Sequence, residues 1–235
     1  MSEWKQKRFW TEATAAPEGD GFTVLLDGRK VKTPAKAALV LPTLAMAQAV
    51  AAEWDAQVDH VDPNSMSCTR SANAAIDKVA IQHAEVADML ADYGDSDLLC
   101  YRADSPQALV ERQSEAWDVA LVWAAEVLGA RLAARTGIMH AGQDPAALTV
   151  LREKTHAFSA FELAAFHDLV SMSGSLVLGF AAALDWRPAD AIWELSRVDE
   201  KWQEDQWGAD EEAVEIATRK RGEFMHAKRF FDLCK

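Results

Sequence analysis

The sequence feature that most constrains the fold is a change of hydrophobic period at Pro42. Before this proline, residues 22–26 and 29–33 show an alternating pattern, and Asp27-Gly28 separates the two runs. A period of two is typical of β-strands, and Asp-Gly favours a two-residue hairpin turn. We therefore predict a small antiparallel β unit that ends near Pro42, with residues 39–41 as a further short strand.

After Pro42 the apolar residues follow helical spacing, and Thr43 is placed to cap the first helix. Residues 131–139 are predicted to form one strand that returns to the β unit. Asp210 is predicted to cap the last helix, after Gly208 ends the helix before it. Further helices are predicted over 106–129, 144–157, 160–172, 175–184 and 188–208.

These patterns predict an α+β fold with two domains. The first is a small β-rich antiparallel domain with one helix over residues 1–62. The second is an all-helical domain over residues 63–235. A chain of 235 residues is long enough for either domain to bury a core without disulfides or metal clips.

Charge and motifs exclude several classes of partner. The net charge is −13, and the one late basic run, residues 219–221, lies beside Glu215 and Glu223, which argues against nucleic acid. The longest apolar run, residues 176–184, is far shorter than the roughly 20 residues that span a bilayer. No glycine-rich phosphate loop is present, so we expect no nucleotide and no membrane insertion.

The cysteines indicate a reducing compartment. Cys68, Cys100 and Cys234 are odd in number, far apart and form no C-x-x-C pair. The N-terminal residues carry charge but no apolar segment of the kind that directs export. We therefore expect a cytoplasmic protein.

Two patterns are candidates for catalysis, and both are incomplete. Gly94-Asp95-Ser96 resembles the Gly-Asp-Ser block of a lipase family, but a predicted helix, and not a strand, precedes it. Glu223 and His226 have the Glu-x-x-His spacing of di-iron bundles, which need a second such motif. We expect no catalytic residue, metal or cofactor. A metal-dependent or hydrolytic enzyme that uses the C-terminal acidic cluster is the alternative.

The stretch DEKWQEDQWGADEE, residues 199–212, holds seven carboxylates and two tryptophans. It lies at the end of the helix predicted over 188–208. Helical spacing places Trp202 on the buried stripe, whereas Trp207 shares a second face with Trp193 and Glu200. Amides lie beside the acids, which favours hydrogen-bonded recognition or bracing over metal chemistry.

Six blocks in order resemble a known family, the chaperones that assemble the soluble catalytic head of F-type ATP synthase. The resemblance covers the chain from Arg8 to about Leu233, and one departure is Ser65-Met-Ser-Cys68, where the family pattern usually has a proline after the methionine. The blocks are Arg8-Phe9, LDGRKVKTPAK (26–36), EWDAQ (53–57), DLLCYRA (97–103), SGSLVL (173–178) and RVDEKWQEDQWGADEEA (197–213).

The resemblance implies a chaperone that holds the newly made α subunit, prevents its aggregation and releases it to the β subunit, with no catalysis. The expected partner is therefore the α subunit of F-type ATP synthase, and the chain resembles a bacterial member. We predict that the end of the acidic stretch contacts this client. The expected contact residues are Glu200, Gln203, Trp207, Asp210 and Glu211.

Overall fold

The structure, a computed structural model that describes residues 7–235, has the predicted α+β architecture. A three-stranded antiparallel sheet in the order β1-β2-β3 comes first, formed by β1 (Ala13–Glu18), β2 (Gly21–Leu26) and β3 (Arg29–Lys30). The ten α-helices of the described residues are α1 (Leu44–Asp55), α2 (Ser67–Ala74), α3 (His83–Ala91), α4 (Gln107–Trp123), α5 (Pro145–His156), α6 (Ala160–Ser173), α7 (Leu176–Ala183), α8 (Ala189–Leu195), α9 (Val198–Trp207) and α10 (Glu211–Asp232).

The predicted hairpin joins β2 to β3. Asp27 and Gly28 have φ angles of 46° and 80°, as a turn with two left-handed residues requires. The Asp27 carboxylate accepts the backbone N–H groups of Thr11 and Glu12, at 3.0 Å each. These bonds, that from Glu12 first, lower the pKa of Asp27. The turn therefore also holds the segment that leads into β1.

Residues 39–41 do not form the predicted strand. Leu41 makes one isolated antiparallel bridge with Phe22, and Ala38 makes another with Lys32. Pro42 follows directly and has no backbone N–H, so the pairing cannot be extended through it. Leu39 and Leu41 are nevertheless buried in the core of the β unit.

The first helix begins as predicted. The Thr43 side chain accepts the backbone N–H of Met46, so it caps α1. Near the other end of α1, the Glu53 carboxylate accepts the backbone N–H groups of Cys68 and Thr69 at 2.7 and 2.8 Å. Glu53 therefore serves as the cap of α2, which has no side-chain cap of its own.

The chain divides into two compact units. The first comprises the described part of Met1–His83 together with Ser159–Ala165 and Arg229–Lys235, and the second comprises Ala84–Phe158 and Phe166–Lys228. Residues 1–6 of the predicted N-terminal domain lie outside the described residues. The predicted sequence boundary after residue 62 stays a prediction, because neither unit is one continuous segment.

Within the second unit, a buried carboxylate joins two distant segments. Asp97 is fully buried and accepts the backbone N–H of Leu99 at 3.0 Å, the hydroxyl of Ser175 at 2.7 Å and the backbone N–H of Val177 at 3.0 Å. Burial raises the pKa of Asp97, and these donors partly offset that effect. The Ser175 hydroxyl in turn accepts the N–H of Leu178 and caps α7.

Two further predictions are wrong. The strand within 131–139 is only β5 (Arg135–Thr136), and it pairs in parallel with β4 (Tyr101–Arg102) instead of returning to the β unit. The helix predicted over 188–208 is two helices, α8 and α9. The last turn of α8 tightens, since Ser196 and Arg197 donate to carbonyls only three residues back. The Ser196 hydroxyl also bonds to the Trp193 carbonyl at 2.6 Å, which competes with continued helix.

The approach of α7 to α6 depends on Gly179. A methyl group added there would lie 2.6 Å from Cγ2 of Val170 and 3.2 Å from Cε2 of Phe166, inside normal contact distance. We predict that Gly179→Ala lowers the free energy of unfolding by about 1–3 kcal/mol, the usual effect of overpacking a core. Urea denaturation followed by circular dichroism measures this.

The matched control is Gly222→Ala on α10. A methyl group there meets no atom within 4 Å, so the change should raise the free energy of unfolding by about 0.5–1 kcal/mol through helix propensity. A Gly179→Ala protein as stable as the wild type would contradict the close packing of α6 on α7.

Candidate partner-binding site

An open cleft of about 580 Å³ lies in the second unit, where the end of β4 faces α4 and α9. Its walls combine aromatic and aliphatic side chains with a few polar groups. The lining residues are Tyr101, Arg102, Ala103, Asp104, Ser105, Pro106, Leu109, Gln113, Gly137, Ile138, Asp199, Trp202, Gln203 and Trp207.

The cleft is held together by Gln113, which is 2% exposed. Its amide oxygen accepts the backbone N–H of Ala103 at 2.8 Å, and its amide nitrogen donates to the Asp199 carboxylate at 2.7 Å. One side chain of α4 thus fixes both the segment after β4 and the first turn of α9. Asp199 is half-buried and keeps one carboxylate oxygen that no bond among residues 7–235 uses.

Two ion pairs flank this connection. Arg112 on α4 donates to Asp205 on α9 at 2.6 Å. Arg102 is 8% exposed, donates to Asp118 at 2.8 Å and lies over the Trp117 ring, 5.3 Å from its centre. Arg102 is paired with Asp118, which does not line the cleft. It therefore does not neutralise the carboxylates of Asp104 and Asp199, which do line it.

The rim of the cleft exposes two large apolar side chains. Trp207 is 79% exposed and Ile138 is 91% exposed. Trp207 is the last residue of α9, and Gly208 ends that helix with a φ of 84°. A tryptophan this exposed at the mouth of a cleft is typical of a protein interaction site, since aromatic residues are enriched at interface centres.

The loop that carries Ile138 is tied back to the unit by His140. Its Nδ1 lies 3.1 Å from the Tyr101 hydroxyl, and its Nε2 lies 3.3 Å from the Asp95 carboxylate. Asp95 also accepts the backbone N–H of Gln143 at 2.7 Å. These bonds hold one wall of the cleft close to β4.

The structure brings only part of the predicted contact set into this cleft. Gln203 and Trp207 line it, whereas Glu200 holds Arg197 at 2.6 Å. Asp210 accepts the N–H of Ala213 at 2.9 Å and so caps α10, as predicted, and Glu211 is exposed in the first turn of that helix.

The two tryptophan predictions have different outcomes. Trp202 is half-buried in the cleft wall and not in the core. Trp193, expected on the face of Trp207, is 3% exposed and contacts the Phe224 ring. Trp193 lies in α8 and Trp207 in α9, so the spacing of one continuous helix does not relate them.

Ser96, one of the catalytic candidates, lies in a short 3₁₀ turn over Asp92–Ser96. This turn directly follows α3, so a helix and not a strand precedes it, as predicted. Within residues 7–235, no group of three His, Cys, Asp or Glu side chains is placed to hold a metal. Burial raises the pKa of Cys68 to about 11 and that of Cys100 to about 12, so both thiols are protonated and unreactive at neutral pH.

Comparison with known proteins decides the family. The family model described as "ATP12 chaperone protein" matches residues 7–125, half of the chain. The chain belongs to the ATP12 chaperone family. This confirms the resemblance drawn from the six sequence blocks, and it identifies the protein as a chaperone of ATP synthase assembly.

Individual ATP12 proteins resemble the chain over most of its length. "Protein atp12, mitochondrial" of Schizosaccharomyces pombe is 24% identical over 222 residues, which are 89% of this chain and 76% of that relative. The crystal structure of Atp12 from Paracoccus denitrificans is 46% identical, with a TM-score of 0.97 over 99% of this chain and 100% of that one. A point mutant of the Paracoccus protein gives the same identity and TM-score, with both chains fully covered.

Sequence reasoning missed Gln113 as the central residue of this ATP12-family cleft. Gln113 lies among Leu109, Ala116 and Ala120 on the helical stripe of α4. A polar residue inside an apolar stripe was the available signal, because a buried amide needs hydrogen-bond partners. Its partners come from distant segments and could not be named from spacing.

No helix of the described residues is long and apolar enough to cross a membrane.

We predict that Gln113→Leu destabilises this ATP12-family chain by about 1–3 kcal/mol. The change leaves the Ala103 N–H without its acceptor and the Asp199 carboxylate without its donor, in a half-buried site. Gln107→Leu is the matched control, since Gln107 is exposed on the same helix and, among the described residues, its side chain bonds to Glu111 alone. Equal unfolding midpoints for the two variants in urea would show that the Gln113 network contributes nothing to stability.

Proposed function

We propose that this chain binds the free α subunit of the F-type ATP synthase catalytic head and keeps it from aggregating until it pairs with the β subunit. The family places the chain in ATP synthase assembly. The observation that carries the client-binding step is the cleft with Trp207 and Ile138 exposed at its rim. We further propose that the chain works in the bacterial cytoplasm, which its free cysteines suit.

The physical demand on such a chaperone fits this surface. A subunit that normally sits in a hetero-oligomer exposes apolar surface until its neighbour arrives, and that surface drives aggregation. A partner that offers aromatic side chains can cover part of it. The net charge of −13 disfavours association of one chaperone molecule with another, because like-charged particles repel.

Release requires no chemistry in this proposal. If the β subunit competes for the same surface of the α subunit, the chaperone dissociates whenever its own affinity is the lower of the two. An open cleft suits a moderate affinity, because a group bound there stays partly exposed to solvent. Catalysis and bound nucleotide therefore have no part in the proposed cycle.

The predicted contact residues differ in whether they line the cleft and in whether they already bond to another side chain. Gln203 and Trp207 line the cleft and are exposed, so we propose that they contact the client directly. Asp210 and Glu211 are exposed where α10 begins and do not line the cleft, and we propose that they contact the client outside it. Glu200 also holds Arg197, whose guanidinium lies over the Trp193 ring at 5.9 Å, so its proposed contact is combined with bracing.

The first test is co-expression with the α subunit from the same source. We expect the two proteins to elute together in gel filtration at micromolar concentration, and the soluble fraction of the α subunit to rise severalfold. The β subunit serves as the control client, and it should not elute with the chaperone. Separate elution with unchanged solubility of the α subunit would contradict the proposal.

The second test is Trp207→Ala. Truncating an exposed aromatic contact should weaken binding of the α subunit by at least about tenfold, as removal of an interface hot spot does. The melting temperature should stay within about 2 °C, because the side chain is 79% exposed and buries little core. Calorimetry of the complex and thermal denaturation of the free variant measure the two quantities.

Ile81→Ala provides the matched control for Trp207→Ala. Ile81 is 77% exposed in the first unit and lines no part of the cleft. Its truncation should leave the affinity for the α subunit unchanged. If both variants lose affinity equally, or if Trp207→Ala unfolds the protein, Trp207 is not a specific contact.

A further inference from the structure

A combination of tryptophan, arginine and carboxylate occurs three times among residues 7–235. In each case an arginine guanidinium lies over a tryptophan ring and is also paired with an acidic side chain. The three sets are Arg8 over Trp10 at 5.5 Å with Asp55 at 3.2 Å, Arg102 over Trp117 at 5.3 Å with Asp118 at 2.8 Å, and Arg197 over Trp193 at 5.9 Å with Glu200 at 2.6 Å.

The physical reason for this combination is the shape of the guanidinium group. It is planar, so one face stacks on an aromatic ring while its edge donates to a carboxylate. The carboxylate supplies charge and direction, and the ring supplies an apolar surface with a negative face. The two partners therefore do not compete for the same part of the arginine.

The cleft contains the same two partners without the cation. Asp199 and Trp202 are three residues apart on α9, so they are neighbours on one face of the helix, and both line the cleft. No arginine or lysine of residues 7–235 lies over the Trp202 or Trp207 ring. No cation of the described chain pairs with Asp199 either, and its bond is the neutral one from Gln113.

The other charged groups that line the cleft also leave its potential negative. Asp104 also lines the cleft, is exposed and adds a second negative charge. Among residues 7–235, Arg102 is the one cation that lines the cleft, and its guanidinium is used by Asp118 and by the Leu99 carbonyl at 2.8 Å. The cleft therefore keeps a net negative potential beside an apolar wall, which favours a cationic occupant.

We propose that the cleft binds an arginine side chain of the client, with its guanidinium against the Trp202 ring and paired with Asp199. The proposal rests on the proposed function, because it names the client group that enters the site. An aliphatic client residue would leave the half-buried Asp199 charge uncompensated, which is costly. A lysine would pair with Asp199 but gain less from the ring, since its ammonium is compact and strongly hydrated.

The direct test uses a small probe and the full chain. N-acetylarginine amide is titrated into ¹⁵N-labelled protein, and the indole N–H signals of Trp202 and Trp207, assigned through Trp202→Phe and Trp207→Phe, are followed by NMR. We expect saturable shifts of the Trp202 signal at millimolar probe. N-acetylcitrulline amide, which has nearly the same shape but no charge, should bind about tenfold more weakly because the ion pair is lost.

Asp199→Asn tests the carboxylate itself. The asparagine oxygen can still accept the Gln113 amide, so the wall of the cleft keeps its bond while the charge is lost. We expect arginine binding to weaken about tenfold. The matched control is Asp190→Asn, which removes the same charge from α8, where Asp190 is exposed and pairs with Arg221. It should change the affinity less than about twofold.

Three outcomes overturn the proposal: equal binding of the citrulline probe, equal loss in both aspartate variants, or shifts that spare the Trp202 signal. The same variants assayed with the α subunit separate this proposal from the proposed function. If the α subunit binds wild type and Asp199→Asn equally well, the arginine assignment fails and the chaperone proposal stands. If the arginine probe binds but the α subunit does not, the choice of client fails and the cleft assignment stands.

Discussion

The second unit depends most on the hydrogen bonds that the buried Asp97 carboxylate accepts. It joins the start of the segment that leads into β4 to the start of α7, through bonds to Leu99, Ser175 and Val177. Burial raises the pKa of Asp97, and its hydrogen-bond donors offset that effect in part. β4 begins four residues later, and the wall of the cleft continues directly from it. The wall of the cleft therefore depends on hydrogen bonds that the chain makes four residues before β4.

The sequence blocks that resemble the ATP12 family contain side chains that close such long-range bonds. Asp27 holds the segment before β1, Glu53 caps α2, and Asp97 and Ser175 join two blocks to each other. Asp199 joins the last block to Gln113 on α4. A buried or half-buried polar group that loses its partner destabilises the folded state, so a substitution in one of these blocks also affects a distant segment.

Local chemistry was enough to predict the elements that depend on neighbouring residues. The Asp27-Gly28 turn, the Thr43 cap and the Asp210 cap are determined within a few residues, and all three are confirmed. The parallel pairing of β4 with β5 and the role of Gln113 depend on residues far along the chain, so spacing could not predict them. Sequence reasoning did not find the break at Ser196, because the apolar residues on either side of it keep helical spacing along the sequence.

The carboxylates of the acidic stretch, residues 199–212, have different partners in the fold and do not form one site. Glu200 and Asp205 hold arginines of the same unit, and Asp210 caps α10. Asp199 is different, since its bonding partner among the described residues is a neutral amide and it lies beside Trp202 in an open cleft. In the proposed complex, an arginine of the client would give both the Asp199 carboxylate and the Trp202 ring a cationic partner that the described residues do not supply. The open cleft would leave that side chain partly solvated, and in this proposal the resulting moderate affinity lets a permanent subunit contact replace the chaperone.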